Sequence, residues 1–156
     1  MAVLSCAQCA TAPLPSFRIG QVTGVPEAPQ SGPELADALA RALFRRGVSA
    51  ESGPEVSVRV TGFDVQLDPF FEPAARAGRS YVRVNLHASW AAGPSQVRAV
   101  LAQGEALVVS RPGPIERTEG AVQRARRQAT DDAARRLVAA IIQALHRDPD
   151  PAEGST

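Results

Sequence analysis

Apolar and polar residues alternate through most of the stretch from Glu55 to Val109, the period of a β-strand with one buried face. Val56, Val58 and Val60 share one side, and Ser57, Arg59 and Thr61 share the other. After Gly62 the parity inverts, so that Phe63, Val65 and Leu67 carry the apolar face. One extra residue at Thr61 or Gly62, a β-bulge, keeps that face inward. Val82, Val84, Leu86, Ala88 and Trp90 then alternate without a break with Tyr81, Arg83, Asn85, His87 and Ser89, which predicts the most regular strand of the chain. Ala91 to Ser95, with Gly93 and Pro94, supply a turn. Val97 to Val109 returns as a third antiparallel strand, in which Gly104 marks a second bulge or a twist.

Before the meander, Ser16 to Val25 reads as a short strand with Phe17, Ile19 and Val22 inward. After a proline-rich connection the period changes to that of a helix: Leu35, Ala38, Leu39, Ala42 and Leu43 form a stripe, Arg41, Arg45 and Arg46 lie mostly off it, and Gly47 stops it. Ser31 and Glu34 have the spacing of a capping box. A helix between two strands predicts a right-handed crossover that sets the first two strands parallel. A second helix is expected from near Thr118 to before Pro149, with Val122, Ala125, Ala129, Ala133, Leu137, Ala140, Ile141, Ala144 and Leu145 on its apolar stripe. Its first half is rich in arginine and weakly apolar, and Thr130-Asp131-Asp132 reads as a fresh helix start. Firm docking is therefore expected from Asp131 to His146. The order strand-helix-strand-strand-strand-helix predicts an α+β fold, a two-layer α/β sandwich with a mixed sheet and both helices on one face. The expected division is a segment 1–15, a single domain 16–147 and a mobile polar tail 148–156.

Composition narrows the function classes. A chain of 156 residues with 44% hydrophobic content is long enough for one core. Its 17 basic and 16 acidic residues nearly cancel, so no overall field favours nucleic acid. Every basic side chain other than the histidines is arginine; there is no lysine. Catalytic signatures are missing: no GxSxG, no phosphate-cradling glycine loop and no HExxH. The adjacent Asp131 and Asp132 project about 100° apart on a helix and suit its N-terminal dipole better than a carboxylate dyad. His87 is the only strand histidine and has no visible partner. The protein is expected to be non-enzymatic, with no cofactor and no metal.

Two surfaces remain as binding candidates. The loop DPFFEPAARAGR, Asp68 to Arg79, joins two antiparallel strands that could have met in a two-residue turn, and loops of that length tend to be functional or disordered. Its Phe70 and Phe71 are either a satellite core or an anchor for a partner, with Arg76 and Arg79 close by. In an extended segment neighbours point to opposite sides, which predicts Phe71 inward and Phe70 outward. The second surface is the polar sheet face, where Arg59, Arg83 and His87 could contact the anionic groups of a small molecule or glycolipid. A plain solvated face is the competing reading.

The first residues, MAVLSCAQCATAPLP, contain two cysteines before a proline-rich stretch. Cys6-Ala7-Gln8-Cys9 is a C-x-x-C, but a zinc site needs two further ligands, and the motif lies in a proline-bounded tail. Val3-Leu4-Ser5-Cys6 resembles a lipobox, which would make Cys6 the lipidated residue. A basic stretch and a long apolar region would normally precede it, so the natural start is expected upstream. No stretch reaches the roughly 18 consecutive apolar residues that span a bilayer. Tether, plain tail and thiol chemistry all remain readings of this segment.

Taken with that start, the ELADALARALFRRGV helix, the meander RSYVRVNLHASW into VRAVLAQGEALVV and the ATDDAARRLVAAIIQAL helix resemble the LPS-assembly (lipopolysaccharide-assembly) outer-membrane lipoproteins. The similarity spans about residues 16 to 146. Other small envelope lipoproteins of assembly and transport systems share the layout. The resemblance implies a lipid-anchored accessory protein on the periplasmic face of the outer membrane. It would bind a larger envelope complex or β-barrel, possess no enzymatic activity and bind no nucleic acid.

Overall fold

The computed structural model describes residues 14–48, 52–66, 80–108 and 115–147, with the side chains of residues 115–118 excepted. The chain runs β1 (Arg18–Thr23), α1 (Ser31–Arg46), β2 (Glu55–Gln66), β3 (Tyr81–Ala91), β4 (Val97–Leu107) and α2 (Ile115–Arg147). The four strands form one sheet in the order β1-β2-β3-β4. β1 pairs parallel with β2, and the other neighbours are antiparallel. This is the mixed-sheet, two-layer α+β sandwich that the hydrophobic pattern predicts.

The core lies between one sheet face and the two helices. Val56, Val58, Val60, Val82, Val84, Leu86, Ala88 and Trp90 point into it and are buried. α1 contributes the predicted stripe of Leu35, Ala38, Leu39, Ala42 and Leu43. α2 adds Leu137, Val138 and Ile141, and Phe17 is buried just before β1. Each large apolar side chain buried in this way contributes about 1.5–3 kcal/mol. The register shifts between Val60 and Gly62, which is the predicted bulge; it lets Phe63 continue the inner face after Val60. A second shift, between Ile19 and Val22 in β1, turns both residues toward the core despite their odd separation.

Several sequence expectations are corrected. Ser31 and Glu34 form no capping box: Gln30 is the N-cap residue and makes no side-chain capping bond. Ser31 is buried instead, and its Oγ accepts the Val25 N–H at 3.0 Å, clipping the end of β1 to the start of α1. The stop at Gly47 holds, with φ of 64° in the left-handed region that glycine adopts without strain. α2 starts at Ile115 and is continuous through Thr130, whose Oγ1 donates to the Arg126 carbonyl at 2.9 Å rather than capping a new start. Asp131 and Asp132 therefore sit in mid-helix. Asp131 accepts from Arg41 on α1 at 2.7 Å, and Asp132 pairs with Arg135 and Arg136 at 3.4 and 2.9 Å.

The docked part of α2 reaches back well before Asp131, because Ala121, Ala125 and Ala129 are buried. Small side chains suffice there because the helix lies very close to β4. Gly104 is the reason, not a bulge: β3 and β4 pair without any register shift. A Cβ at Gly104 would collide with the Ala129 carbonyl and the Ala133 amide and lie 2.8 Å from the Ala133 methyl. A glycine inside a strand here marks a close backbone approach.

Candidate functional site

Among the described residues helices cover only one side of the sheet, so the side chains of opposite parity on β2, β3 and β4 form an open outer face. Cross-strand pairing arranges them in rows. Gln66, Tyr81 and Leu107 form one row, Asp64, Arg83 and Glu105 the next, and Gly62, Asn85 and Gln103 the third. Arg59, His87 and Leu101 form the fourth, with Thr23 of β1 opposite Arg59; Ser57, Ser89 and Ala99 form the fifth.

The predicted trio Arg59, Arg83 and His87 all lie on this face, but in two different environments. Arg83 is committed within the protein. Its Nη2 donates to Glu105 at 3.1 Å, Asp64 stands 4.0 Å from its Nη1, and its guanidinium carbon lies 5.1 Å from the Tyr81 ring centroid. The hydrogen bond to Glu105 holds the guanidinium above its ordinary pKa against the opposing cost of burial, with Tyr81 and Asp64 adding to it. A cation so neutralised has little charge left to offer a ligand.

Arg59 and His87 face each other across the β2–β3 ladder, two rows away. Neither has an ion-pair partner among the described residues. They line a shallow concavity of about 260 Å³ together with Gln21, Thr23, Ser57, Val58 and Ser89. No carboxylate contributes to that lining, so the outer face is graded from a net anionic end, where Asp64 and Glu105 flank Arg83, to a net cationic end at Arg59. Ser57 and Ser89 follow from strand parity. Gln21 and Thr23 do not, since the irregular register of β1 hides which of its residues share the outer face.

A second concavity, about 300 Å³, opens between the helices and is lined by Glu34, Asp37, Arg41, Arg127, Thr130 and Asp131. Arg41 and Asp131 pair with each other across it, and Glu34 is taken by Arg126 beside it. The hydrogen bond to Asp131 raises the pKa of Arg41 most, followed by the Coulombic attraction of Asp131; burial opposes it, and Asp37 adds a smaller rise. Beside it Arg126 reaches inward, 3.2 Å from Glu34 and with its guanidinium carbon 4.6 Å from the Phe63 ring centroid. This cleft is a joint between helices, and the description of a binding site suits the outer sheet face better.

Cys6, Phe70, Phe71, Arg76 and Arg79 lie outside the described residues. What is described is the base of the segment that carries four of them: Gln66 and Tyr81 are directly paired, and the Tyr81 hydroxyl donates to the Gln66 Oε1. Residues 67–80 are thus inserted between two strand ends already in register. Among the described residues no cluster of His, Cys, Asp and Glu could hold a metal ion, and no helix is long and apolar enough to cross a membrane.

Solved structures share the fold, two bacterial lipoproteins among them. Rare lipoprotein B from Shewanella oneidensis superposes with a TM-score of 0.53 and 11% identity, over 83% of this chain and 97% of that one. A protein from Caulobacter crescentus CB15 described as a lipoprotein does so with a TM-score of 0.50 and 18% identity, over 84% of this chain and 93% of that one. No family model matches the sequence, and no curated protein matches it. At these identities the likeness establishes a common fold.

Proposed function

We propose that this protein is a non-enzymatic bacterial envelope lipoprotein, anchored through Cys6 at the periplasmic face of the outer membrane, that assists assembly or transport by binding a larger membrane partner such as a β-barrel. Lipopolysaccharide assembly is the pathway this reading favours. The observation that carries it is the fold shared with rare lipoprotein B over almost the whole of that chain. Val3-Leu4-Ser5-Cys6 supplies the matching tether. Its mechanism is positional: acyl chains hold the protein at the bilayer, where stable anchoring needs more than one lipid chain. The sheet is a rigid platform, and the 67–80 insertion brings Phe70, Phe71, Arg76 and Arg79 to the partner.

The test is metabolic labelling with a tagged fatty acid in cells that carry the protein's own gene. Label is expected on the wild type and absent after Cys6→Ser, with the variant leaving the membrane fraction. Label that survives the substitution overturns the anchor. Phe70→Ala with Phe71→Ala is expected to abolish recovery of the partner by pull-down, and unchanged recovery removes the loop from the reading.

A second reading is favoured by the unpaired Arg59 beside His87: the concavity binds an anionic headgroup, as a small-molecule or glycolipid-binding module would. Arg59→Ala is then expected to weaken binding of lipopolysaccharide or anionic lipid about tenfold, the factor that corresponds to one charge-assisted hydrogen bond. Arg83→Ala should change it little, because Arg83 is already neutralised. Equal losses from both substitutions would contradict the assignment to the Arg59 end.

A further inference from the structure

We infer that the outer edge of β4 is the interface of a two-fold symmetric dimer, in which the β4 strands of two copies pair antiparallel and join the two sheets. This goes beyond the proposed function and does not depend on the lipid anchor.

The sheet has two edges, and β1 carries more of the features that prevent strands from adding to it. β1 has 6 residues, and its register is broken between Ile19 and Val22. Short length and a bulge are devices by which natural sheets blunt an edge. β4 has 11 residues, pairs with β3 without a shift and contains no proline; its charged residues are Arg98 and Glu105. Among the described residues no strand or backbone hydrogen bond covers its far side.

The direction of its backbone groups follows from the two ends of the β3–β4 hairpin. The Val108 N–H donates to the Ser80 carbonyl at 2.8 Å, and the Ala92 N–H to the Gln96 carbonyl at 2.9 Å. Residues 80 and 108, and 92 and 96, are therefore hydrogen-bonded pairs, and the alternation of an antiparallel ladder makes every even-numbered residue of β4 face β3. The odd-numbered ones, from Val97 to Leu107, direct their N–H and C=O groups to the open edge. These same residues put Val97, Leu101 and Leu107 on the outer face, where they are 75%, 74% and 58% exposed.

The strand is complementary to itself. When β4 is turned about a two-fold axis at Ala102, each odd residue meets an odd residue, so the outward backbone groups face each other and no side chain changes face. Val97 then lies opposite Leu107 of the second copy, Ala99 opposite Glu105, and Leu101 opposite Gln103, with the two Leu101 side chains as diagonal neighbours. All 11 residues are paired in this register, and no like charges are opposed. Moving the axis to Leu101 leaves Leu107 without a partner and sets Val97 against Glu105. On the helix side Val100, Ala102 and Ala106, which are only partly buried, gain cover from the second copy.

Sedimentation equilibrium of the full 156-residue chain tests this. The wild type is expected to form a reversible dimer. Ala99→Pro removes an N–H that points away from β3, and Leu101→Lys adds a charge at an exposed site. Each is expected to weaken the dimer about tenfold or more, with far-UV circular dichroism and melting temperature close to wild type. Should Ala99→Pro disturb folding, Leu101→Lys carries the test alone. A wild type that stays monomeric overturns the proposal, as does a dimer of unchanged strength in both variants. Slow amide exchange at the odd residues of β4 in a monomer also overturns it, because another segment of the same chain then covers the edge.

Discussion

Gly104 and Gly62 both interrupt strands, yet the space around them differs completely. At Gly104 an added methyl meets the backbone of α2, which cannot yield without shifting the helix, whereas at Gly62 its nearest neighbour is the Asn85 side-chain amide at 3.7 Å. Overpacking against backbone costs about 1–3 kcal/mol. Gly104→Ala should therefore lower the urea midpoint by the equivalent of about 2 kcal/mol, while Gly62→Ala stays within about 0.5 kcal/mol of wild type, the range of ordinary surface changes. Comparable losses at the two positions would mean that α2 does not rest on Gly104. The sequence marks both as strand glycines but does not show the space around either. The bulge at Gly62 is legible because hydrophobic parity inverts around it; the contact at Gly104 depends on a helix that arrives from about 25 residues further along, as the colliding Ala129 and Ala133 show.

At the scale of elements, the helix layer is joined by Arg126, held between Glu34 of α1 and the Phe63 ring of β2. The Arg126 and Glu34 side chains are only 17% and 21% exposed, and the pair is too poorly aligned for a hydrogen bond. Removing one member leaves the other charge partly buried and alone. Arg126→Ala and Glu34→Ala should each destabilise by about 2–3 kcal/mol, and the variant that carries both should cost less than the two single losses combined. Additive losses in the urea-denaturation cycle would show that the pair is not coupled. Periodicity locates both helices, the inner face of β3 and that of β2 as far as Phe63, because burial imposes it; Val65, expected inward, is 45% exposed. The pattern also misjudges Ser31 and Thr130, because a hydroxyl at a helix start looks the same whether it caps the helix, ties down a neighbouring strand or bonds to its own preceding turn. The site was half legible for a similar reason: alternation puts Arg59, Arg83 and His87 on one face, but only cross-strand register reveals that Asp64 and Glu105 claim Arg83.

For the molecule as a whole, one layer of helices on a four-stranded sheet leaves a broad face and one long edge uncovered by any other described element, and both proposals of association draw on that asymmetry. The parallel pairing of β1 with β2 carries a consequence of another kind, in time. Antiparallel neighbours can zip up locally, as hairpins do in roughly 1–10 μs, whereas β1 reaches its place only after α1 has crossed over and β2 is present. Pulse-labelled hydrogen exchange during refolding should accordingly protect Val84 and Leu86 of β3 before Arg18 of β1, whose N–H donates to the Pro54 carbonyl at 3.1 Å; simultaneous protection would indicate one concerted step. On the ribosome the same order runs against the direction of synthesis. The first strand and helix to emerge have no sheet to join until β2 follows them, so the start of the domain waits for a strand that is made later.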